Sequence, residues 1–449
     1  SQPTTATTPP TTKPASKTPL IVASFVIALA VIAFLLFRGT STRTSTSPAT
    51  AKANKSTIDL CVLTTHNLGN AEEISQETRE LREGLDAKLS RFKDYKVEIG
   101  KSVSPDSTTQ DLLSAGKALN TEYVLYAYVG SNKKQINAKL LNVEDGRNFW
   151  AKTLRNEDFE VEEDFIGEAT GLIAAYISGH DGVIHRDILK KALVKKEVPL
   201  TPVELLQLGK ALWEDSTSDN TEKAIDYLNK CIELNPDIST AYGILSEVYL
   251  EDIRGRYNKI PDAMTKAKNM ASRGVELDPS NAIALVEQIW ISWYEKDFAS
   301  VKVQLEAALK ANPYEALVHA SAGAFYASTG INFEEGKKHI DLAIKYNDTP
   351  QGWYYTGYVF YYMSKEDYEK ALEYVLQSAY NPAETIPMTA CLFWLNEDKE
   401  TAINYYQKVI EMDPNYSVAD FEYYLGVFHY EQSLRQLLIN TFVEISERQ

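Results

Sequence analysis

Residues 221–236 read TEKAIDYLNKCIELNP, and residues 399–414 read KETAINYYQKVIEMDP. Both are amphipathic runs closed by an amide- or acid-proline pair, with Ala224 and Cys231 in the first aligned on Ala402 and Val409 in the second. The closing mark recurs as Asn235-Pro236, Asp278-Pro279, Asn312-Pro313, Asn347-Asp348, Asn381-Pro382 and Asp413-Pro414, in steps of 43, 34, 35, 34 and 32 residues. Eight residues before the second member stand Leu228, Ala271, Leu305, Ile340, Tyr374 and Tyr406, mostly large and apolar. Small residues suit the close approach of two helices, and large ones fill the groove between neighbouring pairs. The proline pushes its predecessor out of the α region and ends the second helix. The spacing predicts stacked pairs of antiparallel helices, which build a binding surface rather than a catalytic pocket.

This pattern resembles the tetratricopeptide repeat, whose period is about 34 residues. It frays where Lys370 and Gln377 take small positions, and the long first step predicts a lengthened loop near Glu251–Pro261. The expected domain is 198–449, an all-α solenoid with C-terminal capping helices that meets protein partners through its repeat surface.

The chain of 449 residues carries a formal charge of −16. Its first 55 residues hold Lys13, Lys17, Arg38, Arg43, Lys52 and Lys55 and no acid, so the remainder sums to −22. So acidic a surface repels phosphate backbones, and no nucleic acid is expected on residues 57–449. Dense carboxylates also suggest a response to pH or to cationic ligands through folding and association. Cys61, Cys231 and Cys391, widely spaced and with no CxxC pair, allow one disulfide but imply neither a zinc site nor a disulfide framework.

Residues 1–19 form a Thr/Pro-rich tether. Leu20–Phe37 (LIVASFVIALAVIAFLLF) is an uncharged apolar stretch whose expected role is a transmembrane helix contacting the lipid bilayer, and residues 38–56 form a second flexible linker. A buried helix and a signal peptide are the other readings of that stretch. Basic residues count two before it and four after it, which by charge alone would turn the C-terminal part inward.

Residues 57–197 read as an α/β domain. Strands are expected at Ile58–Leu63, Tyr95–Ile99, Glu122–Val129 and Gln135–Asn142, with a further one through Phe149 and Trp150. Amphipathic helices are expected at Glu77–Phe92, Thr109–Leu119, Glu163–Ile177 and Ile184–Leu193. Val62–Gly69, Glu83–Phe92, Leu119–Val129 and Ala138–Ala151 resemble the TolB amino-terminal-like domain of bacterial signalling proteins, and Leu205–Trp213 resembles its passage into the repeats. The Pro-Phe of that family is replaced by Thr64-Thr65. The resemblance implies a multi-domain protein: a single transmembrane helix, a TolB-like α/β domain and a repeat solenoid. It implies the sensory and interaction module of a CadC/ToxR-like one-component transcriptional regulator, single-pass in the bacterial inner membrane with its C-terminal part periplasmic. The regulatory part of a membrane cyclase or kinase and a non-signalling envelope scaffold are the alternatives.

No enzyme activity, cofactor or metal is expected. Gly100-Lys101-Ser102 lacks the first glycine of a phosphate loop, since Tyr95 stands there. His185-Arg186-Asp187 lacks the asparagine of a kinase catalytic loop, since Ala192 stands there. The interaction face singled out is aromatic: Trp353, Tyr354, Tyr358, Tyr361 and Tyr362, with the four tyrosines at helical spacing. Core packing between repeats competes with contact to a peptide, a partner helix or an organic cation there, and a homodimer is one candidate assembly.

Overall fold

The computed structural model describes residues 57–65, 75–131, 133–159, 164–195, 199–214, 218–378 and 382–448. The tethers and the Leu20–Phe37 stretch lie outside them.

Five strands form one sheet in the order β2-β1-β3-β4-β5: β1 (Ile58–Leu63), β2 (Tyr95–Ile99), β3 (Tyr123–Val129), β4 (Gln135–Asn142) and β5 (Asn148–Arg155). β1 pairs in parallel with β2 and β3, and β3, β4 and β5 follow as an antiparallel meander. Helix α1 (Gln76–Leu89) links β1 to β2 outward, and α2 (Thr109–Ala118) returns past β1 to β3. Right-handed crossovers running in opposite directions place their helices on opposite faces. Hence Leu60 and Val62 join one core with Leu81 and Leu85, whereas Cys61 and Leu63 join another with Leu112 and Leu113. β1 is buried on both sides, which is why its sequence is almost continuously apolar. Helices α3 (Phe165–Ser178) and α4 (Val183–Val194) complete the domain, α3 beside α1.

The repeats follow as α5 (Pro202–Glu214) with α6 (Ser218–Leu234), α7 (Ser239–Arg254) with α8 (Ala263–Leu277), α9 (Ala282–Tyr294) with α10 (Phe298–Ala311), and α11 (Ala316–Ser328) with α12 (Phe333–Tyr346). Then come α13 (Thr356–Ser364, entered through a 3-10 turn at Gly352–Tyr355) with α14 (Tyr368–Gln377), α15 (Pro382–Leu395) with α16 (Lys399–Met412), and α17 (Val418–Val427) with α18 (Gln432–Ser446). Ala224, Cys231, Ala267, Val301, Ala308, Ala343, Ala402 and Val409 are all fully buried, as the spacing requires. The extra residues of the first step form the connection from Arg254 to Ala263.

Gly336 marks the tightest hairpin: a Cβ there would lie 2.6 Å from the backbone nitrogen of Ala327, which cannot swing aside. Gly336→Ala is expected to lower stability by roughly 1–3 kcal/mol, the usual penalty of overpacking. Urea unfolding monitored by circular dichroism measures it, and an unchanged midpoint would show that α11 and α12 separate freely.

The membrane expectation is corrected. Among the described residues no helix is long and apolar enough to cross a membrane. The longest, α6, has 17 residues and six charges, against about 20 apolar residues for a bilayer core. The assignment of a single-pass inner-membrane protein with a periplasmic C-terminal part therefore finds no support in the fold.

Candidate interaction surfaces

The α/β domain lies along the edge of the array where the proline marks fall. Arg91 donates to the carbonyls of Lys310 and Ala311 at the end of α10, both at 3.2 Å. The Thr240 hydroxyl donates to Asp94 at 2.7 Å, and the His180 backbone N–H to Glu315 at 3.2 Å. Arg186 donates to Thr349 and Asp348, and Lys345 pairs with Glu168 at 2.7 Å. Tyr314 covers Gly171 of α3 so closely that a Cβ would meet its ring at 2.5 Å. The central charge is Lys210 of α5, only 7% exposed, which pairs with Asp181 at 2.8 Å and donates to the carbonyl of His180. Asp181 also accepts from Asn347 and Gln351. Its carboxyl is held well below the usual range: burial opposes ionisation, but Lys210 beside it wins.

Among the described residues, His180, Asp181 and Glu214 are the one set whose atoms could converge on a metal. Lys210 already sits among them as the cation, 3.4 Å from Glu214, so this is an ion-pair network and not a metal centre. The kinase-like string dissolves in the same way. His185 and Arg186 belong to the seam, and Asp187 accepts from Tyr123, Asn142 and Arg147. Gly100, in the phosphate-loop-like string, faces Leu63 and Cys61, where a Cβ would lie 2.4 Å from the Leu63 side chain.

The inner side of the array is closed by the chain itself. Trp293, 1% exposed, donates from its indole to the carbonyl of Phe428 at 2.8 Å. The Phe428 ring sits 5.7 Å from Trp290 and 5.5 Å from Trp293. His429 lies 3.0 Å from the carbonyl of Tyr294, and the Glu431 N–H donates to the Ser328 carbonyl at 2.7 Å. Arg256 pairs with Asp420 at 2.7 Å and Tyr423 donates to the Ile253 carbonyl. Nearby, Arg254 is clamped by Glu247 and Glu251, and burial followed by Glu247 pushes the Glu287 carboxyl well above its ordinary range. Partners that enter such arrays along their inner side would meet the α17–α18 connection already there.

The aromatic residues singled out in the sequence divide between core and surface. Tyr354 is 1% and Tyr358 6% exposed, and the Tyr358 hydroxyl donates to Asp341. Trp353 is half-buried, edge-on to Trp290 at 5.7 Å. Tyr361 and Tyr362 are likewise half-buried and continue into Tyr355 and into Tyr374, one of the groove-filling positions: Tyr362 stacks on Tyr374 at 5.4 Å, and Tyr374 on Tyr355 at 6.2 Å. The ring faces already have cations, Lys365 at 5.3 Å from Tyr361 and Lys370 at 5.1 Å from Tyr362. An added organic cation would have to displace them.

A tetratricopeptide-repeat family model matches residues 215–238 and 388–416. No curated protein matches. Among solved structures, PilF of Pseudomonas aeruginosa is 18% identical, covering 50% of this chain and 96% of its own, with a TM-score of 0.35. A tetratricopeptide-repeat protein of Thermus thermophilus is 16% identical over 40% of this chain and 90% of its own, at 0.32. Yeast Tom70 is 15% identical over 65% and 62%, at 0.31. Tetratricopeptide repeats are thus present at residues 215–238 and 388–416, within a helical array that follows a small N-terminal sheet domain.

Proposed function

We propose that this tetratricopeptide-repeat chain is a non-catalytic partner-binding module whose docking face is the half-exposed tyrosine ladder of α13 and α14. One observation carries the reading: Tyr355, Tyr361, Tyr362 and Tyr374 form a continuous aromatic row that is only partly buried, while Phe428 packs against Trp290 and Trp293. Stacked tyrosines offer broad contact area at low entropic cost, which suits a protein partner. The α/β domain, resembling the TolB amino-terminal domain, would act as a rigid extension of the repeats. Its position in the chain matches the sensory module of CadC/ToxR-like regulators, and partner capture would then be the signal it passes on. A cyclase- or kinase-linked module and a plain scaffold share the same docking face.

The test compares the full wild-type chain with Tyr361→Ser/Tyr362→Ser as bait, with bound proteins quantified by mass spectrometry. Proteins that lose at least tenfold in recovery while the variant melts like wild type support the reading. An identical set on both baits overturns it. Sedimentation of the same two samples shows whether the face serves a second copy of this chain instead.

A further inference from the structure

The seam between the α/β domain and the repeats encloses a cavity of about 20 Å3, room for about one water. Asp94, Ser178, His180, His185, Thr240 and Glu315 line it. Nδ1 of His185 lies 3.0 Å from the carbonyl of Gly179 and 3.2 Å from that of His180. Both are acceptors, so Nδ1 carries the proton and Nε2 of the neutral ring is a lone pair. That Nε2 is buried without a protein hydrogen bond, 3.8 Å from Asp94, and Nε2 of His180 is likewise buried and unpartnered. Protonating either ring would place a buried charge close to the Lys210 ammonium, which donates to the carbonyl of His180. We propose that the seam is a pH-released latch, in which His180 and His185 keep the α/β domain docked on the repeats only while both rings are uncharged.

The groups facing the rings set the sign. Arg91, Lys93 and Asp94 face them from the α1–β2 connection, Tyr95 from the start of β2, Lys210 and Glu214 from α5, Asp181 from the α3–α4 turn, and Glu315 from the head of α11. Burial, then Lys210, hold His180 down to about 3. Burial lowers His185 against the pull of Asp94. A depressed value in the docked state means docking is fully supported above the free value, about 6.5, and weakens as pH falls, by up to about tenfold per pH unit for each ring. Glu315 opposes them: burial raises its carboxyl to about 7, so it favours docking at low pH and loses that contribution as pH rises through 7. Glu214 is also raised by burial, but its side chain is 32% exposed and solvent screens it. His180 and Glu315 nearly offset each other between roughly 6.5 and 4.5, so the net loosening on acidification comes from His185, which burial lowers.

Hydrogen exchange of residues 178–186 in the full chain, corrected for intrinsic pH dependence, reads the opening. The seam of the wild type is expected to open progressively as pH falls across that range, by no more than about tenfold per pH unit, with α15 and α16 unchanged. His180→Gln/His185→Gln is expected to abolish or reverse the slope. Equal slopes in wild type and variant, or no slope in the wild type, would overturn the latch. Should the double variant misfold at neutral pH, Glu315→Gln decides: it is expected to steepen the slope by up to about tenfold per unit, and an unaltered slope overturns the proposal.

Discussion

Lys210→Met is expected to destabilise the full chain by roughly 3–5 kcal/mol, the range seen when one partner of a buried ion pair is removed. The methionine fills the space of the lysine stem, so the loss is electrostatic: Asp181, with its side chain 11% exposed, loses the counterion that offsets its burial. The carbonyl of His180 loses a donor at the same time. Lys210→Met/Asp181→Asn should regain more than half of that loss, because the uncompensated charge is gone while Asn347 and Gln351 still have an oxygen to donate to. Guanidinium unfolding of the three proteins measures both steps. A single variant within about 1 kcal/mol of wild type, the worth of an exposed pair, would mean that water reaches the network and the seam is loose.

Trp293→Ala should cost a further class of energy, about 3–5 kcal/mol, as for other large buried aromatics. Trp293 touches Trp290, Phe325 and Phe428, so its loss hollows the core of α9 and α11 and unpins the α17–α18 connection together. Trp293→Phe keeps the packing but drops the hydrogen bond to the Phe428 carbonyl, and should cost only about 1–3 kcal/mol, the penalty of a buried unsatisfied acceptor. Equal losses in the two variants would show that the bond, rather than the packing, closes the array.

The elements of both domains were legible in the sequence because their periodicities are local. β1, β2 and β4 start and stop where the apolar runs and turn residues put them, and the small positions of the repeats are buried as spacing alone required. The long-range contacts were not legible. Nothing in Asp94, His180 or Lys210 announces that they meet, since each is an ordinary polar residue in its own segment and only docking joins them. Phe428 has the same character: one aromatic residue after a helix, indistinguishable in sequence from a cap. The tyrosine cluster was visible, but helical spacing gives the face of one helix and not what covers it. Tyr354 packs with Ala316, Ala320 and Ala343 of the preceding repeat and Tyr358 donates to Asp341 there, while Tyr374 of the aromatic row comes from the next helix.

The central claim is a single welded body: α/β domain docked along the loop edge of the repeats, and the inner side closed by residues 428–431. Native-state hydrogen exchange at neutral pH tests it through the Glu431 amide, which donates to Ser328, and the His180 amide, which donates to Glu315. Both amides are expected to exchange at least about a hundredfold more slowly than exposed loop amides, and to be deprotected together with their neighbouring helices. Fast exchange at Glu431 while α9 and α11 stay protected would show an open array, and would contradict the account.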